Sequence, residues 1–481
     1  MESLPEEQNA PKNGDNKMTS DKMRNTGMVR LILQMSVPAV VSMLVLSLYN
    51  IVDSVFISRY DGRALDALSI AFPLQQMLIA FAVGSAIGTN AYVARKLGQK
   101  KYKEATLTAQ TGLFISMCAS LLFVVIALVF ADPFMRAFTS DETTIQYGVT
   151  YLTVVMCFSM GSFIDIVCAR VLQATGNMLV PMITQIVGAV VNIILDPILI
   201  FVANLGVLGA AIATVVGQFA SMSIGLLVFR FKKHDVTIFF TKDFHLKAKI
   251  VKGILKIGLP TIIMNSVAAF VAVILNLILK AYEAAITVFG IYFKLQSFVY
   301  MPIFGLNQGA LPVMSYNYGA KDKKRFLQAV KWSFVFALSL MAFGLVLFQS
   351  IPNYLLALFN AEGALMETGI MALRIISISF AFAGIGIIGA TTMQALRYGT
   401  FSMFISLLRQ VILFIPLAFV FSNAFGVNGV WATIPVCELS AAIVTIIALP
   451  LLIKKCFPSR PLPPPVWSEP PAPKPEAAHD A

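Results

Sequence analysis

Twelve apolar runs leave this 481-residue chain few ways to fold. They lie at about 31–57, 66–94, 106–131, 145–174, 180–202, 206–229, 254–279, 284–316, 326–350, 367–396, 401–422 and 427–453. Each reaches the roughly 20 residues needed to cross a bilayer as a helix. Inside hydrocarbon a backbone must satisfy its own N–H and C=O groups, so each run is expected to be an α-helix. A chain that is 58% hydrophobic and 12% charged has too little polar surface to coat a water-soluble globule. Residues 1–30 hold no apolar core or small-residue cleavage site, so no cleavable signal peptide is expected.

The basic residues test that count. One set of connections holds Lys22, Arg24 and Arg30, five basic residues at 95–103, eight at 230–256, five at 321–331, Arg397, and Lys454, Lys455 and Arg460. The alternate connections hold only Arg59, Arg63, Arg136 and Lys280. This alternation fits the positive-inside rule and predicts cytoplasmic termini and a cell-membrane location. A miscounted helix would scramble it from that point onward. The net charge of +12 is thus explained by orientation at anionic headgroups, and nucleic acid is not an expected partner. Five cysteines lie in or beside spans without metal spacing, and all three histidines fall in loops or the tail. No disulfide framework, metal centre or cofactor is expected.

The twelve runs form two sets of six. Residues 70–103 laid over 291–324 agree without a gap at Ile70/Ile291, Phe72/Phe293, Leu74/Leu295, Gln75/Gln296, Gly84/Gly305, Gly88/Gly309, Gly98/Gly319, Lys100/Lys321 and Lys103/Lys324. Chance would give about two matches. Gln173-Ala174 returns as Gln394-Ala395, Val37-Pro38 as Leu259-Pro260, and Gly206/Gly209 as Gly426/Gly429. Each set has an even number of spans, so both enter and leave on one side as parallel repeats. The expected fold is an all-α polytopic membrane protein, with twelve transmembrane helices in two pseudo-symmetric six-helix bundles. Its parts are an N-terminal tail (1–30), a first lobe (31–230), a connector (231–253), a second lobe (254–453) and a proline-rich tail (454–481), expected to be disordered.

Ionised side chains at mid-membrane cost on the order of 2.5–3.5 kcal/mol, so the few present single themselves out. They are Asp53, Asp165, Arg170 and Asp196 in the first half, and Lys294, Arg374, Arg409 and Glu438 in the second. Asn50 lies one turn before Asp53, and Asn192 one turn before Asp196, so each acid shares a face with a carboxamide. Both acids fall in the same half of spans running the same way, hence at similar depth. Two Asn/Asp pairs at one depth suit a site for a proton or a small cation such as Na⁺. The matched positions of the second half are apolar, Leu275 and Ile415, which argues against a purely structural role. Pro38 and Pro197 permit bends beside these residues. For Asp165 a structural and a relay role are both open. Lys294, Arg374 and Glu438 either pair within the second bundle or line a cavity. Candidate cavity residues are Tyr49, Gln75, Asp165, Lys294, Gln296 and Arg374.

No phosphate-binding Gly-x-x-x-x-Gly-Lys-Ser/Thr loop occurs, nor a His-Glu-x-x-His, Gly-x-Ser-x-Gly or Cys-x-x-Cys motif. An ion gradient is therefore the expected energy source, and no enzymatic activity is expected.

At this point the chain resembles the multidrug and toxic compound extrusion (MATE) family. The residues that carry the likeness are Pro38, Tyr49-Asn50-Ile51-Val52-Asp53, Gly88 to Leu97-Gly98 with its echo Gly309 to Tyr316-Asn317-Tyr318-Gly319-Ala320, Gln173 to Gly176-Asn177, Asn192 to Asp196-Pro197, and Gly206 to Gly209. The likeness covers about 30–455. It implies a two-lobed antiporter that exports lipophilic, often cationic drugs in exchange for H⁺ or Na⁺ by alternating access. The family's first-lobe cation site resembles Asp53, Asn192 and Asp196 here, with Thr214 as a further ligand and Asn50 beside it. Where some members carry carboxylates in the second lobe, this chain has Ala268 and the Gly384–Gly386 region, as in the DinF- and MepA-like branch. Small-molecule drugs, organic cations and membrane lipids are the expected partners of a monomer. The alternative is a lipid-linked oligosaccharide flippase of the wider superfamily, kept open by Lys294 and Arg374.

Overall fold

In the computed structural model, residues 23–231, 235–279, 282, 285–359 and 362–458 are described. The side chains of Asn50, Ala268 and a few others, and most of the proline-rich tail, lie outside the described residues. Every regular element among the described residues is helical. The first half comprises α1 (Met28–Tyr60), α2 (Gly62–Gly98), α3 (Tyr102–Phe138), α4 (Glu142–Cys157), α5 (Met160–Ala174), α6 (Leu179–Pro197) and α7 (Val207–Phe231). The second comprises α8 (Ala248–Leu279), α9 (Ala285–Gly319), α10 (Lys323–Ser350), the short α11 (Pro352–Ala357), α12 (Gly363–Ser377), α13 (Phe380–Ala395), α14 (Gly399–Leu407) and α15 (Phe414–Cys456).

These helices make twelve passes. The pairs α4–α5 and α12–α13 each form one span, bent by 48° and 46° at breaks around Ser159 and Ser379. Beyond Pro197, α6 widens into a π-helical turn over Ile198–Val202, as expected where a proline removes a ladder donor. A second π turn, Leu408–Leu413, joins α14 to α15. The run from Gly399 to Cys456 crosses twice, because Gly426 leaves helical geometry at φ 61° and ψ −146°. Leu128, Val202 and Phe343 present large apolar side chains outward, 69%, 82% and 68% exposed, which suits lipid and not water. The protein is a multi-pass membrane protein.

The repeat seen in the sequence is also a repeat of backbone shape. Six of the eight positive-φ residues among those described occur in matched pairs, Lys100 (φ 57°) with Lys321 (61°), Gly176 (92°) with Arg397 (69°), and Gly206 (53°) with Gly426 (61°). Each closes a helix or opens the next one, where the chain must reverse.

The repeated glycines have a steric reason. The first lobe's α2 lies along α8, and the second lobe's α9 lies along α1. A Cβ on Gly84 or Gly88 would strike Ile254, Gly258 or Ile262 of α8, and one on Gly305 or Gly309 would strike Met35, Ser36 or Val40 of α1. Nearer the termini, a Cβ on Gly98 would hit the Tyr316 carbonyl, and one on Gly319 the Arg95 carbonyl. Six matched glycines thus let the lobes meet backbone to backbone along a seam on the face that bears the termini. One apolar core crosses it, including Leu31, Leu97, Ile257, Leu306 and Met314. A separate core, with Ile57, Phe123, Leu152 and Ile200, belongs to the first lobe alone at the opposite end. The lobes are therefore joined at one end and divided at the other.

Candidate cation and substrate site

The divided end of the first lobe holds the polar cluster. Asp53 projects from α1 and Asp196 from the last turn of α6, two helices that pack together. Asp196 is fully buried and Asp53 is 9% exposed. Their carboxyl groups meet at hydrogen-bonding range. Neither Oδ1 has a donor partner among the described residues. Two ionised carboxylates are both acceptors, so their contact calls for a proton or a cation between them.

The surrounding groups are held by close helix packing. Where α6 crosses α7, a Cβ on Gly217 would lie 2.7 Å from the Gly188 carbonyl and 3.2 Å from Asn192 Cβ. This close approach lays Thr214 of α7 beside Asn192 of α6. The Asn192 amide has one orientation that satisfies both its ends. Its nitrogen then donates to Asp196 Oδ2 at 3.0 Å, and its oxygen accepts from the Thr214 backbone N–H at 3.0 Å. The Tyr49 and Tyr151 side chains lie close to Thr214. Tyr151 Oη in turn accepts from Gln75 Nε2 at 3.3 Å. Tyr49, Asp53, Gln75, Asn192, Asp196 and Thr214 are thus gathered in one place on α1, α2, α6 and α7.

The structure places the remaining sequence candidates elsewhere. The Asn50 side chain lies outside the described residues. Asp165 is held on α5, its Oδ1 buried and without a partner among the described residues. Lys294 is exposed on α9, its Nζ 5.9 Å from the centre of the Phe359 ring. Arg374 is exposed at the end of α12, where its backbone carbonyl accepts from Gln349 Nε2 at 2.8 Å. Neither cation forms an ion pair with a carboxylate among the described residues. Gln296 is half-buried on α9, one turn before Tyr300. Arg409 and Glu438 form a mostly buried ion pair between the second π turn and α15. Among the described residues no group of three or more His, Cys, Asp or Glu side chains could hold a metal ion.

Tyr151 is the member that sequence reasoning missed. It is one aromatic among many on α4, with no charge to mark it, and only the packing of α4 on α7 brings it to Thr214.

Comparison with known proteins agrees with this architecture. The family profile described as MatE matches residues 38–198 and 257–420, once in each lobe. The multidrug export protein MepA of Staphylococcus aureus (strain bovine RF122 / ET3-1) is 25% identical over 425 residues, 88% of this chain and 94% of that protein. MepA of Staphylococcus haemolyticus is 26% identical, covering 86% and 91% of the two chains. Among solved structures, a MOP superfamily transporter from Pyrococcus furiosus superposes with a TM-score of 0.86 at 22% identity, over 92% of this chain and 99% of that one. An outward-facing multidrug resistance MATE family transporter gives the same TM-score at 23% identity and the same coverage.

Proposed function

This chain belongs to the MatE family, and from that premise we propose that it is a secondary active multidrug efflux antiporter. In this reading it exports lipophilic, often cationic compounds in exchange for H⁺ or Na⁺. The observation that carries the reading is the contact between the Asp53 and Asp196 carboxyls, in the lobe whose partner has only apolar residues at the matched positions. A positive ion between them offsets both charges at once. Its departure leaves two anions facing each other in a low-dielectric site, and their repulsion favours another arrangement of α1 and α6. Pro38 and the Pro197 π turn are the points where those helices can bend.

Ion and drug then compete through conformation. If the ion favours one packing of the first lobe and the drug another, each weakens the other's binding by the same factor. Exchange of one monovalent ion for one monovalent drug cation moves no net charge. The ion's concentration gradient alone would then drive export, at about 1.4 kcal/mol for each tenfold ratio. The closed seam on the basic, terminus-bearing face supports a state open toward the opposite side. On the positive-inside reading, that basic face is cytoplasmic in the cell membrane. The site's negative character suits a cation better than the pyrophosphate of a lipid-linked oligosaccharide.

The test is efflux of a fluorescent cation from vesicles, with ΔpH and the Na⁺ gradient collapsed separately. The gradient whose loss stops export identifies the coupling ion. Asp53→Asn and Asp196→Asn are each expected to abolish gradient-driven export in protein that still melts cooperatively. Normal export by both variants would remove the coupling assignment.

A further inference from the structure

Away from the acidic cluster, on the terminus-bearing face of the second lobe, a cavity of about 340 Å³ is lined by Lys256, Arg397, Tyr398, Thr400, Phe401 and Phe404. We propose that it binds the phosphate headgroup of an anionic phospholipid, with Lys256 and Arg397 as the charge partners.

Lys256 lies in the third turn of α8, and Arg397 and Tyr398 form the turn between α13 and α14. No acidic residue lines the cavity, and neither cation is in an ion pair among the described residues. Arg397 Nε is buried without a hydrogen-bond partner among the described residues. The guanidinium carbon lies 5.8 Å from the centre of the Tyr92 ring of the first lobe. It is thus steered by an aromatic face while its donors remain unmatched. The Tyr398 and Thr400 side chains add hydroxyl groups to the lining.

The backbone gives an independent reason to regard Arg397 as selected for its side chain. It adopts φ 69°, a left-handed conformation that glycine takes without penalty. The matched turn of the first lobe uses Gly176 there, and the position matching Lys256, four before the shared proline, is Gln34. The second lobe therefore keeps a strained arginine where the fold is made equally well with glycine, and pairs it with a lysine. A free anion would need only the cations and hydroxyls. The site also carries two phenylalanines, Phe404 being 52% exposed, at the end of spans where acyl chains meet headgroups. Basic pockets between helices at this level recognise lipid phosphates. The proposal requires only that the protein be in a membrane, and does not rest on the ion-exchange reading.

The experiment uses purified full-length protein in nanodiscs of phosphatidylcholine with or without phosphatidylglycerol. Retained phosphatidylglycerol is counted by native mass spectrometry, and melting is followed in parallel. Wild type is expected to retain the anionic lipid through delipidation and to melt higher with it present. Arg397→Gly and Lys256→Gln are each expected to weaken retention about fivefold, the effect of one cation at a membrane surface. Arg397→Gly, which relieves the turn, should melt no lower than wild type in pure phosphatidylcholine, so loss of lipid there cannot be put down to misfolding. Arg397→Lys should restore part of the retention. Retention by Arg397→Gly equal to wild type would overturn the proposal. So would full protection by millimolar inorganic phosphate with no added effect of phosphatidylglycerol, because the ligand would then be a soluble anion.

Discussion

At the scale of single residues, the two lobes treat buried charge in opposite ways. In the second lobe Glu438 is matched by Arg409, with side chains 17% and 19% exposed. In the first, Asp53 meets only another acid. A matched pair is static, because its charge is already cancelled. An acid pair is left with charge that a positive ion can cancel. Removing one half of the matched pair should therefore be costly and removing both mild. Arg409→Leu is expected to destabilise by about 3–5 kcal/mol, with the double variant Arg409→Leu/Glu438→Leu returning near wild type, read from thermal melts in detergent. The acids were legible in the sequence because a charge stands out in an apolar run, and the Asn/Asp spacing gave them direction. The pairing of Arg409 with Glu438 was not legible. The two lie on neighbouring passes, and a list of isolated charges does not say which faces turn toward each other.

At the scale of elements, most helices begin and end where apolar runs and left-handed turn residues put them. The bends at Ser159 and Ser379 were hidden because neither break holds a proline or glycine, the usual marks of an interrupted ladder. Two helix starts at the end opposite the termini depend on acid caps. Asp61 accepts from the Arg63 N–H at 2.9 Å and from Tyr147 Oη at 3.4 Å, and Asp141 accepts from the Thr144 N–H at 2.9 Å. The Arg63 backbone N–H first, and then its side chain, hold the Asp61 carboxyl below the usual carboxylate range. The Thr144 hydroxyl and N–H do the same for Asp141. A depressed acid contributes fully above its ordinary pKa of about 3.9, and that contribution fades as pH falls through the lowered value. Loss of hydrogen-exchange protection at the α1–α2 and α3–α4 turns, relative to the intrinsic rate at each pH, should thus be flat from neutral pH down to about 4 and rise below it. Asp61→Asn and Asp141→Asn should flatten that rise at their own turns.

At the scale of the whole molecule, the duplication was legible from matched glycines, but their purpose was not. Only the structure shows that Gly84, Gly88, Gly305 and Gly309 face the other lobe, because a glycine in a sequence does not name the surface it approaches. Gly88→Val and Gly309→Val are expected to disfavour the closed seam by about 1–3 kcal/mol, through overpacking against backbone. Spin labels placed across the terminus-bearing face should then report longer distances, while each lobe keeps its helical content. Unchanged distances in both variants would mean that the seam yields without opening.

A joint made of main chain has no rotamers with which to stretch. Facing backbones forfeit about a quarter to a half of their dispersion over a gap of 0.5–1 Å, while Arg325, which donates to the Met23 and Thr26 carbonyls, and Gln173, which donates to Gln308, reach across beside them. The two halves of this protein are therefore gripped at that joint by contacts that fail over a short gap, with only those few long side chains to tether them beyond it.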